Sequence, residues 1–169
     1  HDIPTTVARA ARVIGVLGAS FTTVPTQGGD AMMRAAVNGL AEGAAAAGTA
    51  APCVLGVTVL TSDPDAAPEV LMARAAAAAE AGCGGRVCAA ADLAVVRRAA
   101  PGLLSVVPGI RPSGAPGDDQ GRIATPGGAI AAGADILVVG RGVTAAPDPE
   151  RSAAAVAAEV AAAAAPPRG

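Results

Sequence analysis

The chain has 169 residues, of which 52% are hydrophobic, and this content is typical of one folded domain with a sizeable core rather than of a disordered polypeptide. Its formal net charge is −2 and its isoelectric point is near 5.3, so it lacks the basic surface that binds nucleic acid or an acidic membrane. All 12 basic residues are arginine, which excludes any reaction that depends on a lysine of these 169 residues.

Helical and strand-like stretches alternate along the chain. Helices are predicted over 5–17, 30–47, 68–81, 92–100, 126–132 and 149–164. Strands are predicted over 20–24, 53–60, 85–88, 103–107 and 135–139, with a sixth candidate strand ending at Asp2-Ile3. Thr5 or Thr6 would cap the first helix and Asp30 the second, because their side-chain oxygens can accept hydrogen bonds from free backbone N–H groups.

The predicted strands are apolar on both faces, as in the stretch CVLGVTVL over 53–60, and this pattern is typical of parallel strands covered by helices. An open doubly wound sheet would fit the strand count equally well, but it usually carries a glycine-rich turn after its first strand, and no GxGxxG motif occurs here. We therefore predict an α/β fold, a partial TIM (β/α)8 barrel of parallel strands with outer helices, forming a single incomplete domain over 1–169.

An eight-stranded barrel usually needs about 200 or more residues. The chain opens at His1 rather than at a methionine, so we expect two or three βα units to lie outside it on the N-terminal side. Such a partial barrel exposes two strand edges, and we expect the chain alone to self-associate through them.

The stretch from Pro108 to Arg141 has the pattern of a phosphate site. A polar loop rich in Gly and Asp leaves one predicted strand and returns to another that ends in Gly140-Arg141. In a barrel, polar residues directly after the strands meet at one face and form the site. Asp118-Asp119 are interpreted as solvated turn residues rather than metal ligands.

Other site classes have little support. The cysteines lack the spacing of a metal site, His1 is the only histidine, and we predict neither a metal nor another cofactor. The thiols are interpreted as buried and reduced: Cys53, Cys83 and Cys88. No basic region precedes an apolar core as in a signal peptide, and no run without Gly, Pro or charge is long enough to span a bilayer, so we expect a cytoplasmic protein.

Six motifs occur in order along the chain: HDIPTT (1–6), AMMRAAV (31–37), VTVLTS (57–62), VPGIRP (107–112), DDQGRIATP (118–126) and GADILVVGR (133–141). Together they resemble the orotidine 5′-phosphate decarboxylase family over essentially the whole chain. The resemblance implies cofactor-free decarboxylation of orotidine 5′-phosphate (OMP) to UMP in pyrimidine biosynthesis, by a homodimer with shared active sites. In that family a carbanion forms at the ring carbon that loses CO₂, and a lysine of the signature D-x-K-x-x-D stabilises this charge and then donates the proton.

The resemblance also implies roles for individual residues. Asp2 resembles the last Asp of the signature, a catalytic residue contributed to the neighbouring subunit's site, and the lysine would lie upstream of His1. Ile3 and Thr6 resemble ribose-side and neighbouring-subunit contacts. Thr61, with Ser62 as the alternative, resembles the hydroxyl residue that reads the pyrimidine edge.

The remaining implied roles concern the phosphate. Arg111 and Arg141 resemble the arginines that bind phosphate oxygens in a bidentate way. Gly140 would allow a backbone N–H to approach the phosphate, and Gln120 would add a neutral donor. Pro108, at the start of the loop that carries Arg111 and Gln120, would also contact the substrate.

The sequence departs from the family pattern at three positions, Pro25, Ala89 and Gly142. Two alternatives to an OMP decarboxylase stay open at this point. One is a related sugar-phosphate decarboxylase or aldolase-like synthase of the same barrel group. The other is a decayed barrel that binds a phosphorylated ligand without catalysis, because no lysine is present.

Overall fold

The computed structural model describes residues 1–63, 66–112 and 122–164. The α-helices are α1 (Pro4–Val16), α2 (Asp30–Ala47), α3 (Pro68–Glu80), α4 (Leu93–Ala99), α5 (Pro126–Ala131), α6 (Arg141–Thr144) and α7 (Pro149–Ala164). The strands are β1 (Phe21–Pro25), β2 (Cys53–Val57), β3 (Gly85–Val87), β4 (Leu104–Val107) and β5 (Ile136–Leu137). Two 3₁₀ turns occur at Thr26–Gly28 and Ala90–Asp92.

The five strands form one sheet in the order β1-β2-β3-β4-β5, and every neighbouring pair is parallel. A doubly wound sheet reverses its strand order at a switch point, whereas the strands of a barrel follow one another around the wall. The sequential order therefore excludes the doubly wound alternative for the described residues and confirms the partial α/β barrel.

The two faces of the sheet differ in burial. One row of paired residues faces the helices and is buried on all four strands: Val24, Gly56, Arg86 and Ser105. A Cβ on Gly56 would lie 2.8 Å from the Cβ of Ala78 in α3, which shows how closely the helix layer packs. The adjacent row lies on the opposite face, and its end members Thr23 and Leu104 are exposed. The helix layer thus covers one face of the sheet, as in the outer wall of a barrel.

Arg86 is a charged side chain inside the helix-covered layer. It is fully buried, and its guanidinium donates hydrogen bonds to the carbonyl of Ala100 at the end of α4 and to Oγ of Ser105, the latter at 2.9 Å. Burial lowers the pKa of this guanidinium from its usual value. The side chain therefore ties β3 to β4 and to α4 at the cost of desolvating a charge.

Most predicted elements are confirmed to within three residues at each end, and the main corrections concern the helix starts and the sixth strand. Asp2 and Ile3 form no strand, because Ile3 already occupies the N-cap of α1. Neither Thr5 nor Thr6 caps α1, because Pro4 is its first residue and both threonines lie inside the first turn. Asp30 is likewise inside α2, where its carboxylate pairs with Arg34 at 2.9 Å.

Helix α6 was not predicted, and strand 53–60 ends earlier, at Val57. The C-terminal helix starts and ends as predicted. Among the described residues, no helix is long and apolar enough to cross a membrane.

We predict that Arg86→Ala lowers the free energy of unfolding by about 3 kcal/mol or more, because it leaves a cavity and removes both donors from buried acceptors. Urea denaturation followed by circular dichroism measures this change. Arg98→Ala is the matched control, since Arg98 lies exposed on α4 and its loss should change stability by about 0.5 kcal/mol or less. Equal effects of the two substitutions would contradict the structural role of Arg86.

Candidate functional site

The residues that directly follow the strands lie at one edge of the sheet. We call this edge the C-terminal rim; it comprises 26–28, 58–63, 88–92, 108–112 and 138–142, together with 122–125, which leads into α5 and pairs with the backbone of 109–111. Because all five strands are parallel, their carboxyl ends meet here, which is where α/β barrels place their active sites. The rim is therefore the candidate functional site.

Two threonine hydroxyls link the first three strands at the rim. Oγ1 of Thr26 donates to the carbonyl of Val57 at 2.9 Å, and Oγ1 of Thr58 donates to the carbonyl of Val87 at 2.9 Å. Both threonines are buried. From the helix layer, Nη1 of Arg74 donates to the carbonyl of Thr58 at 2.7 Å. These bonds fix the turns after β1, β2 and β3 relative to each other.

A largely buried ion pair joins the more distant parts of the rim. Nη1 of Arg122 donates to both carboxylate oxygens of Asp92, at 2.7 and 2.6 Å, and Nη2 donates to the carbonyl of Leu60 at 3.0 Å. The two charged side chains are 13% and 7% exposed. One guanidinium thus connects the turn after β2, the turn after β3 and the segment that leads into α5.

Arg111 lies where the chain leaves β4. Its backbone N–H donates to the carbonyl of Ala124 at 3.0 Å, and the N–H of Ala124 donates to the carbonyl of Gly109 at 3.1 Å, so Arg111 is anchored beside the start of α5. The Arg111 side chain is 7% exposed, and its Nη1 donates to the carbonyl of Ile110 at 2.9 Å. This guanidinium is held at the rim by both backbone and side-chain contacts.

Gly140 and Arg141 begin the short helix α6, and this turn packs against Arg111. A Cβ on Gly142 would lie 3.6 Å from Cδ of Arg111 and 3.2 Å from the carbonyl oxygen of Ile110. Oγ of Ser152 donates to the carbonyl of Gly142 at 2.7 Å, which holds the turn from the side of α7. The structure therefore brings the Gly140-Arg141 turn and the Arg111 side chain together, with Arg141 exposed to solvent.

The three N-terminal candidates lie at the start of α1. Asp2 is exposed, and its Oδ1 accepts a hydrogen bond from the N–H of Ile3 at 2.6 Å. Ile3 is 65% exposed, and Thr6 is exposed in the first turn of the helix. A Cβ on Gly28 would lie 3.2 Å from the Cβ of His1, so this segment sits beside the turn after β1, at the rim.

The remaining predicted site residues lie in several parts of the chain. Thr61 lies half-buried in the turn after β2, next to Leu60, and Pro108 lies half-buried directly after β4. Gln120 and Asp118-Asp119 lie outside the described residues. Two departures from the family pattern lie at this edge of the sheet: Pro25 ends β1 next to the rim, and Ala89 lies buried on the rim after β3.

An apolar cleft of about 190 Å³ lies between α1, β1 and α2. Its lining includes Val7, Ile14, Thr23 and Met32 but none of the predicted substrate contacts. The polar rim is therefore distinct from this cleft.

Within 1–63, 66–112 and 122–164, no cluster of three or more His, Cys, Asp or Glu residues could hold a metal ion.

Sequence analysis missed the ion pair between Asp92 and Arg122. Arg122 lies within the quoted motif DDQGRIATP, and Asp92 was interpreted only as the start of a helix. The available signal was positional, since each residue lies between a strand and the helix that comes after it, which is the barrel's active face. Their 30-residue separation left no local pattern that could pair them.

Comparisons with known proteins place these features in a family. A family model described as orotidine 5′-phosphate decarboxylase / HUMPS family matches residues 1–156. The orotidine 5′-phosphate decarboxylase of Anaeromyxobacter dehalogenans is 48% identical over an alignment that covers 94% of this chain and 71% of that protein. The enzyme of the same name from Thermobifida fusca is 45% identical, with 95% and 70% covered.

A solved structure shows the same similarity in three dimensions. The crystal structure of orotidine 5′-phosphate decarboxylase from Lactobacillus acidophilus superposes with a TM-score of 0.78 at 32% identity. The match covers 95% of this chain and 71% of that one.

We predict that stability falls between about pH 9 and pH 12. Burial raises the pKa of the Cys88 thiol to about 12 and that of Cys83 to about 11, from 9.0. Both thiols ionise at lower pH in the unfolded chain, so rising pH favours unfolding, whereas below about pH 9 neither thiol contributes a pH dependence. The sequence contains no Lys or Tyr, so Cys53 and the arginines are the only other side chains that titrate in this range.

Thermal melts at half-unit pH steps measure this fall. Cys88→Ala should make the fall shallower, and Cys53→Ala, at a partly buried thiol, should change it less. A melting temperature that is flat from pH 9 to pH 12 would contradict the burial of these thiols.

Proposed function

The chain belongs to the orotidine 5′-phosphate decarboxylase / HUMPS family, and we infer from this membership that it is a carboxy-lyase acting on OMP to give UMP in pyrimidine biosynthesis. The relatives at 45 to 48% identity carry the name of the decarboxylase, so neither the sugar-phosphate enzyme nor the decayed binding protein is favoured. The observation that carries the proposal is the packing of Arg111 against the turn that bears Gly140 and Arg141 at the rim.

Two arginines on adjacent rim turns suit a phosphate group. A guanidinium stays charged at all working pH values and offers paired donors that match two phosphate oxygens. Arg111 is buried and held in place, whereas Arg141 is exposed to solvent at the start of α6. We therefore assign the phosphate to Arg111, Arg141 and the backbone at Gly140, with Gln120 as a neutral donor.

The pyrimidine ring is assigned to the opposite part of the rim. Thr61 follows β2, two strands away from β4, and its half-buried position suits a hydroxyl that reads a base edge. Pro108, directly after β4, would line the space between the base and the phosphate. A nucleotide would then lie across the rim with its two ends on different strands.

The chemistry breaks the bond between the pyrimidine ring and its carboxylate, leaves the electron pair on the ring carbon, and adds a proton there after CO₂ departs. The proton donor implied by the family is a lysine, and these 169 residues contain none. Arginine cannot replace it, because its pKa is too high for proton donation at neutral pH. We therefore assign two roles to this chain: it binds the nucleotide, and it contributes the carboxylate of Asp2.

Asp2 is assigned to the active site of a neighbouring subunit in a homodimer. Its exposure, together with that of Ile3 and Thr6, leaves the start of α1 free to face another protein. Val13, Val16 and Leu17 at the end of the same helix are also exposed and apolar, as is typical of an interface. A cytoplasmic location suits the proposed reaction, whose substrate and product are nucleotides.

Decarboxylation is tested with a fusion that supplies an Asp-x-Lys pair ahead of His1, taken from the corresponding segment of a family member that has this pair. We expect the fusion to convert OMP to UMP with release of CO₂, measured by the change in ultraviolet absorbance. The same fusion with that lysine replaced by alanine should be inactive. A folded fusion that binds UMP but does not turn over OMP would contradict the assigned activity.

Removal of the phosphate contact should be selective. We predict that Arg141→Ala weakens UMP binding by about 10- to 100-fold, the worth of a charge-assisted hydrogen bond, and leaves uridine binding unchanged. Isothermal titration calorimetry on the 169-residue chain measures both constants. Arg151→Ala, an exposed arginine on α7, controls for the lost net charge. Equal weakening of UMP and uridine would show that Arg141 does not contact the phosphate.

The homodimer is tested by sedimentation equilibrium. We predict a dimer whose dissociation constant rises at least about tenfold in Ile3→Arg, because a charge would be buried at the interface. Met72→Arg on α3 is the control, since Met72 is a similarly exposed apolar residue away from α1. A monomer at high concentration would contradict the assembly, and equal effects of the two substitutions would contradict its placement at α1.

A further inference from the structure

The ion pair between Arg122 and Asp92 has no role in the chemistry assigned above. Its burial is costly, because two charges lose their hydration and the attraction between them repays this only in good geometry. Such a pair is weak evidence for stability, since apolar side chains of similar size often serve a core equally well. The contacts of Arg122 with two different rim turns suggest a different purpose.

Arg122 connects the two parts of the rim assigned to the two ends of the nucleotide. On one side, its Nη2 holds the carbonyl of Leu60, the residue before Thr61. On the other side, Arg122 lies two residues before Ala124, whose backbone pairs with that of Arg111. Two residues of chain span at most about 7 Å, so Arg122 is closely tied to the Arg111 anchor.

Asp92 fixes the direction of the guanidinium. Its two oxygens both accept from Nη1 of Arg122, and its own backbone N–H donates to the carbonyl of Ala89 at 3.0 Å in the turn after β3. The turn after β3 lies between those after β2 and β4 in the sheet order. Asp92 therefore holds Arg122 midway across the rim.

Resting on the proposed function, we propose that Arg122 and Asp92 are positioning residues that fix the turn carrying Thr61 relative to Arg111, and so fix the distance between the base and phosphate ends of the nucleotide site. They contact neither end themselves. A ligand that reaches both ends depends on this distance, whereas a ligand that occupies the phosphate end alone does not.

The experiment compares two probes, UMP and ribose 5-phosphate, by isothermal titration calorimetry on the 169-residue chain well below its melting temperature. Arg122→Lys keeps the charge but loses the planar fork that reaches Asp92 and Leu60 together. We expect it to weaken UMP binding by about tenfold or more, since small misplacements of binding groups are costly. Ribose 5-phosphate binding should change by less than about threefold, because the phosphate contacts stay intact.

Arg97→Lys is the matched control. Nη1 of Arg97 joins α4 to the turn between α5 and β5, with a bond of 2.8 Å to the carbonyl of Gly133 and with Asp135 at 3.9 Å, at the opposite edge of the sheet. Arg97→Lys should leave the affinity for both probes unchanged. If Arg122→Lys does not fold, the charge-neutral double variant Asp92→Asn/Arg122→Gln gives the same comparison, because it leaves no buried charge without a partner.

The outcomes separate the two proposals. A variant that melts at lower temperature but binds UMP as tightly as the wild type would overturn the positioning role and leave the proposed function standing. Equal weakening of both probes would also overturn it, because Arg122 would then act on the phosphate end itself. A wild-type chain that binds neither probe would overturn the proposed function, and this inference with it.

Discussion

The site depends on one constraint, the common direction of five strands that pair in the order in which they occur in the chain. Each helix returns the chain to the same starting edge, so every turn that follows a strand arrives at the opposite edge. Residues as far apart as Leu60 and Arg122, or Arg111 and Gly142, meet there only for this reason. If one strand were reversed, its turn would move to the other end and the rim would lose one of its components.

Hydrogen bonds between neighbouring strands and between more distant turns hold the rim in place. The hydroxyls of Thr26 and Thr58 bond to the carbonyl of the adjacent strand, and the Arg122 guanidinium spans two turns at once. Nε of Arg122 is buried without a hydrogen-bond partner among the described residues, so the guanidinium holds these turns at a cost in desolvation. The helix-covered face uses a second buried arginine, Arg86, to tie β3 to β4 and α4. An alanine-rich chain with one aromatic residue has little bulky apolar surface to bury, and these arginines supply directional contacts instead.

The strands and helices were largely predictable because apolar runs and helical periodicity are local signals. The C-terminal helix over 149–164 was predicted with its observed limits, whereas the strand from Cys53 was predicted to run three residues too far. The hydropathy of Thr58, Val59 and Leu60 resembles that of a strand, but the chain turns there to bond with Val87 and Arg122. The predicted caps at Thr5 and Asp30 were wrong because each residue lies one or two positions after the observed N-cap, although its side chain suits that role. The pairing of Asp92 with Arg122 is tertiary, and no local pattern encodes it.

The central claim is that the rim holds a nucleotide with its phosphate between the turns of Arg111 and Arg141. A crystal structure of the 169-residue chain with UMP tests this most directly. The account predicts phosphate oxygens within hydrogen-bond distance of both guanidinium groups and the pyrimidine ring beside Thr61. A nucleotide seated in the apolar cleft near Val7 and Met32, or a phosphate bound away from both arginines, would contradict it.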